Sequence, residues 1–121
     1  GYRVAVITGS YSLPAQQRLL SLGITDIFQG VHDKKEQLNT YILQHQIKKE
    51  ELLYMGDDIP DHEAMQMAGV ACCPADAVSE IKSISHYISI HNGGSGCVRD
   101  VIEKVMKIRG HWDTGAGISS V

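Results

Sequence analysis

The chain has 121 residues, a formal net charge of -3, and a charged fraction of 21% against a hydrophobic fraction of 43%. That length suits one domain with a real core, and the slight acidity excludes the basic surplus of a nucleic-acid binder. No basic-then-apolar leader opens the sequence and no apolar run approaches the ~18 residues of a membrane helix. The expectation is a cytoplasmic protein with neither nucleic acid nor membrane as a partner.

The elements alternate along the chain. Val4-Ala5-Val6-Ile7 is a continuous apolar run ending at Thr8-Gly9, the pattern of a buried parallel strand. A helix follows, with Ser12 as cap, Pro14 in the first turn, Leu19 and Leu20 on one face, and Gly23 as its stop. Ile27-Phe28 is a short second strand. Asp33 opens a helix carrying Leu38, Tyr41 and Ile42 at i, i+3, i+4. Leu52 to Met55 is a third strand, ending abruptly in Gly56-Asp57-Asp58. Pro60 then suits a first helical turn, with Met65 and Ala68 on one face. Val70 to Cys73 and Tyr87 to Ile90 are the fourth and fifth strands. Val98, Val101, Ile102, Val105 and Met106 trace the apolar stripe of a final helix.

Apolar strands alternating with helices predict an α/β fold with a doubly wound parallel sheet. Such sheets bind ligands beyond the carboxyl ends of their strands. The first strand ends in Thr8 and Gly9, a hydroxyl beside an unobstructed backbone N–H. That pair suits a phosphoryl oxygen, although Thr-Gly can also merely end a strand. Lys34 follows the second strand at a helix start, where a compact charge would face an anion or a carboxylate. Lysines favour the other end of a helix, which is mildly suggestive, but on its own Lys34 reads as a solvated lysine beside Lys35. The third strand leads into Gly56-Asp57-Asp58-Ile59-Pro60-Asp61. Three carboxylates at a sheet edge repel one another unless a cation neutralises them, and magnesium needs only one or two. The alternative is a capping turn in front of Pro60. The cysteines Cys72, Cys73 and Cys97 lack C-x-x-C spacing and the histidines lack ligand spacing. Both sets read as packing or surface residues rather than a metal centre.

Thr-Gly, then Lys, then Gly-Asp-Asp-x-x-Asp, each beyond a successive strand, resembles the second, third and fourth motifs of the haloacid dehalogenase (HAD) phosphatases. Ala5-Val6-Ile7-Thr8-Gly9, Phe28-Gln29-Gly30, Tyr54-Met55-Gly56-Asp57-Asp58 and Gly93-Gly94-Ser95-Gly96-Cys97-Val98-Arg99-Asp100 are similar to the branch acting on 3-deoxy-D-manno-octulosonate (KDO) 8-phosphate. The resemblance implies a core without a cap domain over residues 1–109, a tail over 110–121, and a homotetramer. It implies that Thr8, Gly9 and Lys34 bind the transferring phosphoryl group, that Lys34 also bridges to the nucleophile, and that Ser10 and Arg18 face the substrate. Asp57 would bind Mg2+ directly, with Asp58 and Asp61 in support. The implied chemistry is aspartyl-phosphate formation and hydrolysis.

The family's first motif, Asp-x-Asp, is absent from these residues. It is expected roughly 40–50 residues upstream of Thr8, on a strand between the Thr8 and Asp57 strands, because the route needs a nucleophile. Without that strand the chain is expected neither to catalyse nor to fold well. Ser10 stands where the KDO branch commonly has arginine, removing a charge that could pair with a substrate carboxylate. That leaves nonulosonate 9-phosphates as an alternative substrate, and a non-catalytic oligomerisation domain of a sialic acid cytidylyltransferase as an alternative role. A receiver-type signalling domain is excluded, since its acidic residues precede its threonine and lysine.

Overall fold

The computed structural model describes residues 3–93 and 96–108. The chain divides into two compact units, Gly1–Gln46 and Ile47–Val121, each with its own sheet. Every strand pair is parallel, so the α/β class with parallel strands is what the sequence forms. The side chains of Val105 and Met106, and the boundary between core and tail expected at residue 110, lie outside the described residues.

In the first unit, β1 (Ala5–Ile7) pairs with β2 (Asp26–Phe28), Ile7 opposite Phe28. Between them lies α1 (Leu13–Ser21), whose first turn holds Pro14 and whose cap is Ser12, accepting from the Ala15 N–H at 3.3 Å. Gly23 ends it with φ +87°, a conformation that costs other residues ~1–2 kcal/mol, and lets the Ile24 N–H return to the Leu19 carbonyl at 3.0 Å. Leu19 is buried but Leu20 is 47% exposed, so the packed face of α1 takes the first of the pair and not the second. α2 (Lys34–His45) starts at Asp33, whose carboxylate accepts from the Glu36 N–H at 3.0 Å. Such a cap contributes about 1 kcal/mol. The helix lays Leu38 and Tyr41 into a core shared with Leu19 and Ile24, and the Tyr41 ring meets Phe28 edge to face at 5.8 Å. The Tyr41 hydroxyl donates to Asp26, which gives the buried phenol its partner.

In the second unit, β4 (Val70–Cys73) lies between β3 (Leu53–Met55) and β5 (Tyr87–Ile88). The middle strand is covered on both faces, and Ala71, Cys72 and Cys73 are all buried. All three cysteines are free and buried, as expected, and burial pushes the Cys72 thiol up to about 12. Among the described residues three α-helices complete this unit: α3 (His62–Gln66), α4 (Ser79–Ile84) and α5 (Cys97–Ile108). Met65, Ile81 and Val101, one from each helix, are almost fully buried. Sequence patterning does not reveal α4, a helix of 6 residues with Ile81 as its only buried side chain and no side-chain cap. β5 stops at Ile88, short of the expected Ile90. Past Ile88 the chain still bonds to the end of β4, the Ser89 N–H donating to the Cys73 carbonyl and the Ala75 N–H to the His91 carbonyl, both at 2.9 Å. The Ser89 hydroxyl donates to Asp100 at 2.8 Å and accepts from the His91 N–H at 3.0 Å, and Ile90 is 81% exposed.

Candidate active site

Each unit presents candidate residues at the carboxyl edge of its own sheet. In the first, the ladder continues one step past β1: the Thr8 N–H donates to the Phe28 carbonyl at 2.9 Å, and the Val31 N–H to the Thr8 carbonyl at 3.0 Å. The Gly30 N–H donates to the Ser10 carbonyl at 2.9 Å, so the loops after β1 and β2 are laced together. Lys34 follows this lacing as the first residue of α2, half-buried. Thr8 is half-buried too, whereas Gly9 and Ser10 are exposed. Arg18 stands exposed in the last turn of α1.

Ser10 holds the Thr8 side chain. Its N–H donates to Thr8 Oγ1 at 3.2 Å, and the two hydroxyls are 2.9 Å apart. When Ser10 donates from both groups, the Thr8 hydroxyl proton is left to point at an incoming oxygen.

In the second unit the acidic run is divided by function. Asp58 caps the 3-10 turn Ile59–Asp61, its Oδ1 accepting from the Ile59 N–H at 2.8 Å. Asp61 is 3% exposed. Its Oδ1 accepts from the Tyr54 hydroxyl at 2.9 Å, and its Oδ2 from the Asp57 and Asp58 N–H groups at 3.2 and 3.3 Å. Burial, with the Asp61 and Asp57 charges, pushes the Tyr54 phenol far up, so it stays a donor. The Asp57 carbonyl accepts from the Val78 N–H at 3.1 Å, which ties the turn to the start of α4. Asp57 itself is exposed. The capping reading of this run holds for Asp58.

Among the described residues no three His, Cys, Asp or Glu side chains group closely enough to hold an ion by themselves. Magnesium retains several waters and takes one or two protein carboxylates plus phosphate oxygens. An exposed aspartate on a turn pinned through its N–H and its carbonyl fits that requirement. Asp61 fits it less well, because both its oxygens serve protein donors.

The sequence does not single out Tyr54, although a signal is present. A tyrosine in an apolar strand needs a hydrogen-bond partner for its hydroxyl when buried, and an aspartate stands seven residues on. The Ser10–Thr8 pair and the Val78 tie carry no sequence signal.

The first unit thus presents a strand-end hydroxyl and amide with a helix-start lysine, and the second a pinned acidic turn. The sequence model of haloacid dehalogenase-like hydrolases matches residues 20–102, more than half of the chain, and the chain belongs to that family. Within the family it is similar to particular enzymes. It is 31% identical over 116 residues to the KDO 8-phosphate phosphatase of Yersinia pestis, and equally to that of Escherichia coli K12. These alignments cover 96% of this chain and 62% of each relative, so the chain spans under two thirds of the length of the curated relatives it matches. Among solved structures, the Moraxella catarrhalis KDO 8-phosphate phosphatase, in complex with magnesium, phosphate and KDO, superposes with a TM-score of 0.90 at 33% identity, covering 94% of this chain and 66% of that one. The Yersinia pestis enzyme gives 0.91 at 30% identity, covering 98% and 64%.

Proposed function

We propose that the protein is a magnesium-dependent phosphatase of sugar-acid phosphate monoesters, acting on KDO 8-phosphate to give KDO and phosphate for lipopolysaccharide precursor synthesis. The observation that carries this reading is the Asp57 turn: an exposed aspartate at a strand's carboxyl end, held through both its N–H and its carbonyl. Family membership supports it, and so does the order along the chain of Thr8, Lys34 and Asp57, each beyond a successive strand.

In this reading Thr8 and the Gly9 N–H bind phosphoryl oxygens with donors fixed before the substrate arrives, which removes the cost of reorganising them. Lys34 neutralises charge on the same group and steadies the nucleophilic carboxylate, which the family supplies from its Asp-x-Asp motif. Asp57 holds Mg2+, with Asp58 and Asp61 shaping its turn. When bound, the ion offsets negative charge on the phosphoryl group. Ser10 and Arg18 face the sugar acid. The working form is a cytoplasmic homotetramer.

The test is kcat/KM of the full-length protein on KDO 8-phosphate and on a nonulosonate 9-phosphate, with Mg2+ present. A preference for the eight-carbon ester is expected. A preference for the nine-carbon ester would replace the substrate, and phosphate release from neither would replace catalysis by an assembly role.

A further inference from the structure

Asp57 is held by its own backbone, and the backbone is held by Asp61. What holds Asp61 is the Tyr54 hydroxyl, 2.9 Å from Oδ1. We infer that Tyr54 is a positioning residue for the metal-bearing turn, acting on Asp57 through the buried Asp61 carboxylate; this rests on the magnesium role proposed above.

Asp61 has little room to find another arrangement. It is 3% exposed, and Tyr54 is only 9% exposed, so water does not readily replace either partner. Gly56 closes the other side: a Cβ built there would lie 2.5 Å from Asp61 Cβ and 2.7 Å from its Cγ. The carboxylate is thus clamped between a phenol and a backbone that approaches as only glycine permits. Its second oxygen takes both amides that set the direction of Asp57 and Asp58. Period-two alternation in β3 points Tyr54 to the face opposite Leu53 and Met55, so the strand itself aims the phenol at the turn.

Removing the hydroxyl takes a donor from a buried carboxylate oxygen, a loss that the carboxylate relieves by rotating. That rotation loosens the two amides. Groups that orient a metal ligand without touching the ion typically carry about a tenfold to hundredfold effect on metal affinity. The inference therefore predicts a defect in metal binding that appears without substrate.

The experiment measures Mn2+ binding by electron paramagnetic resonance and Mg2+ binding by calorimetry on the substrate-free full-length protein. The wild type, Tyr54→Phe, Asp61→Ala, the double variant and Tyr41→Phe are compared. Tyr41→Phe removes a phenol–carboxylate bond of the same kind at Asp26 and is the control. Tyr54→Phe is expected to weaken metal binding about tenfold, with KM for the phosphate ester unchanged at saturating metal. The double variant should bind no more weakly than Asp61→Ala alone, because Tyr54 acts through Asp61. Unchanged metal affinity in Tyr54→Phe overturns the inference while leaving the phosphatase reading intact. So does a double variant that adds the two losses, or an equal loss in Tyr41→Phe. If Tyr54→Phe does not fold, Asp61→Ala with wild-type metal affinity also refutes it. A wild type that binds neither ion removes the magnesium role first, and the inference with it.

Discussion

Replacing Gly56 with alanine is expected to be strongly destabilising for a change of one methyl group. The added Cβ would sit 2.5 Å from Asp61 Cβ, 2.7 Å from Asp61 Cγ and 2.9 Å from Met65 Sδ. Met65 is 1% exposed and already packed in the core. Asp61 can move only by giving up its bonds to Tyr54, Asp57 and Asp58. Overpacking alone costs about 1–3 kcal/mol, and stranding a buried carboxylate adds about 1–3 more. A loss of about 2–6 kcal/mol follows, a large fraction of the roughly 5–15 kcal/mol that holds a domain folded. Urea unfolding of the full-length protein measures it through the shift in midpoint at constant slope. Gly23→Ala is the comparison: it meets nothing within 4 Å but has φ +87°, so it carries only backbone strain of about 1–2 kcal/mol. If Gly56→Ala proves no more destabilising than Gly23→Ala, the clamp on Asp61 does not exist as described.

Other outcomes follow from the second unit. The Tyr87 and Ser89 hydroxyls donate to Asp100 at 2.7 and 2.8 Å. The Tyr87 bond, then the Ser89 bond, hold the Asp100 carboxyl below its ordinary 3.8. Their stabilisation is therefore complete above that value and lost as pH falls through the lowered one. On the alkaline side, hydrogen bonding to Asp100 raises Tyr87 to about 12, so stability is full below the ordinary 10 and fades as pH climbs toward 12. Urea midpoints across pH should show both edges, and Tyr87→Phe should flatten them. His86 continues the β4–β5 ladder with a side chain: its Nδ1 accepts from the Ala71 N–H at 2.9 Å while its own N–H donates to the Ala71 carbonyl at 2.7 Å. His86→Asn keeps an acceptor at the same distance from the backbone and should leave the melting temperature close to wild type, whereas His86→Ala should cost about 1–2 kcal/mol. Gly69→Ala would drive a Cβ to 2.5 Å from the Lys49 carbonyl oxygen. Backbone cannot swing aside as a side chain can, so a lower yield of folded protein on expression is expected.

Much of this was legible because the relevant signals are local. Ser12 and Asp33 announce the starts of α1 and α2 by residue type, and each accepts the expected amide. The apolar runs of β1, β3 and β4 read as buried parallel strands because nothing polar interrupts them. α4 escaped notice because a helix of 6 residues with one buried side chain has no period to read. The apolar pattern carries β5 on to Ile90, whereas the strand ends at Ile88 and the pairing beyond it is limited to isolated backbone bonds of Ser89 and His91. For the candidate site, the motifs name Thr8, Lys34 and Asp57 by type and order. They could not show that Ser10 holds the Thr8 hydroxyl or that Tyr54 underwrites Asp61, since both depend on side chains meeting in space.

The central claim is that Asp57 carries the ion on which phosphate release depends. Phosphate released from KDO 8-phosphate by the full-length protein, titrated with Mg2+ after removal of metal by chelator, tests it most directly. The wild type should be silent without the ion and recover fully with it. Asp57→Ala should lose at least about a hundredfold in kcat, since the ion contributes several kcal/mol. Release that persists without metal, or an Asp57→Ala variant within about twofold of wild type against that expectation, would contradict the account.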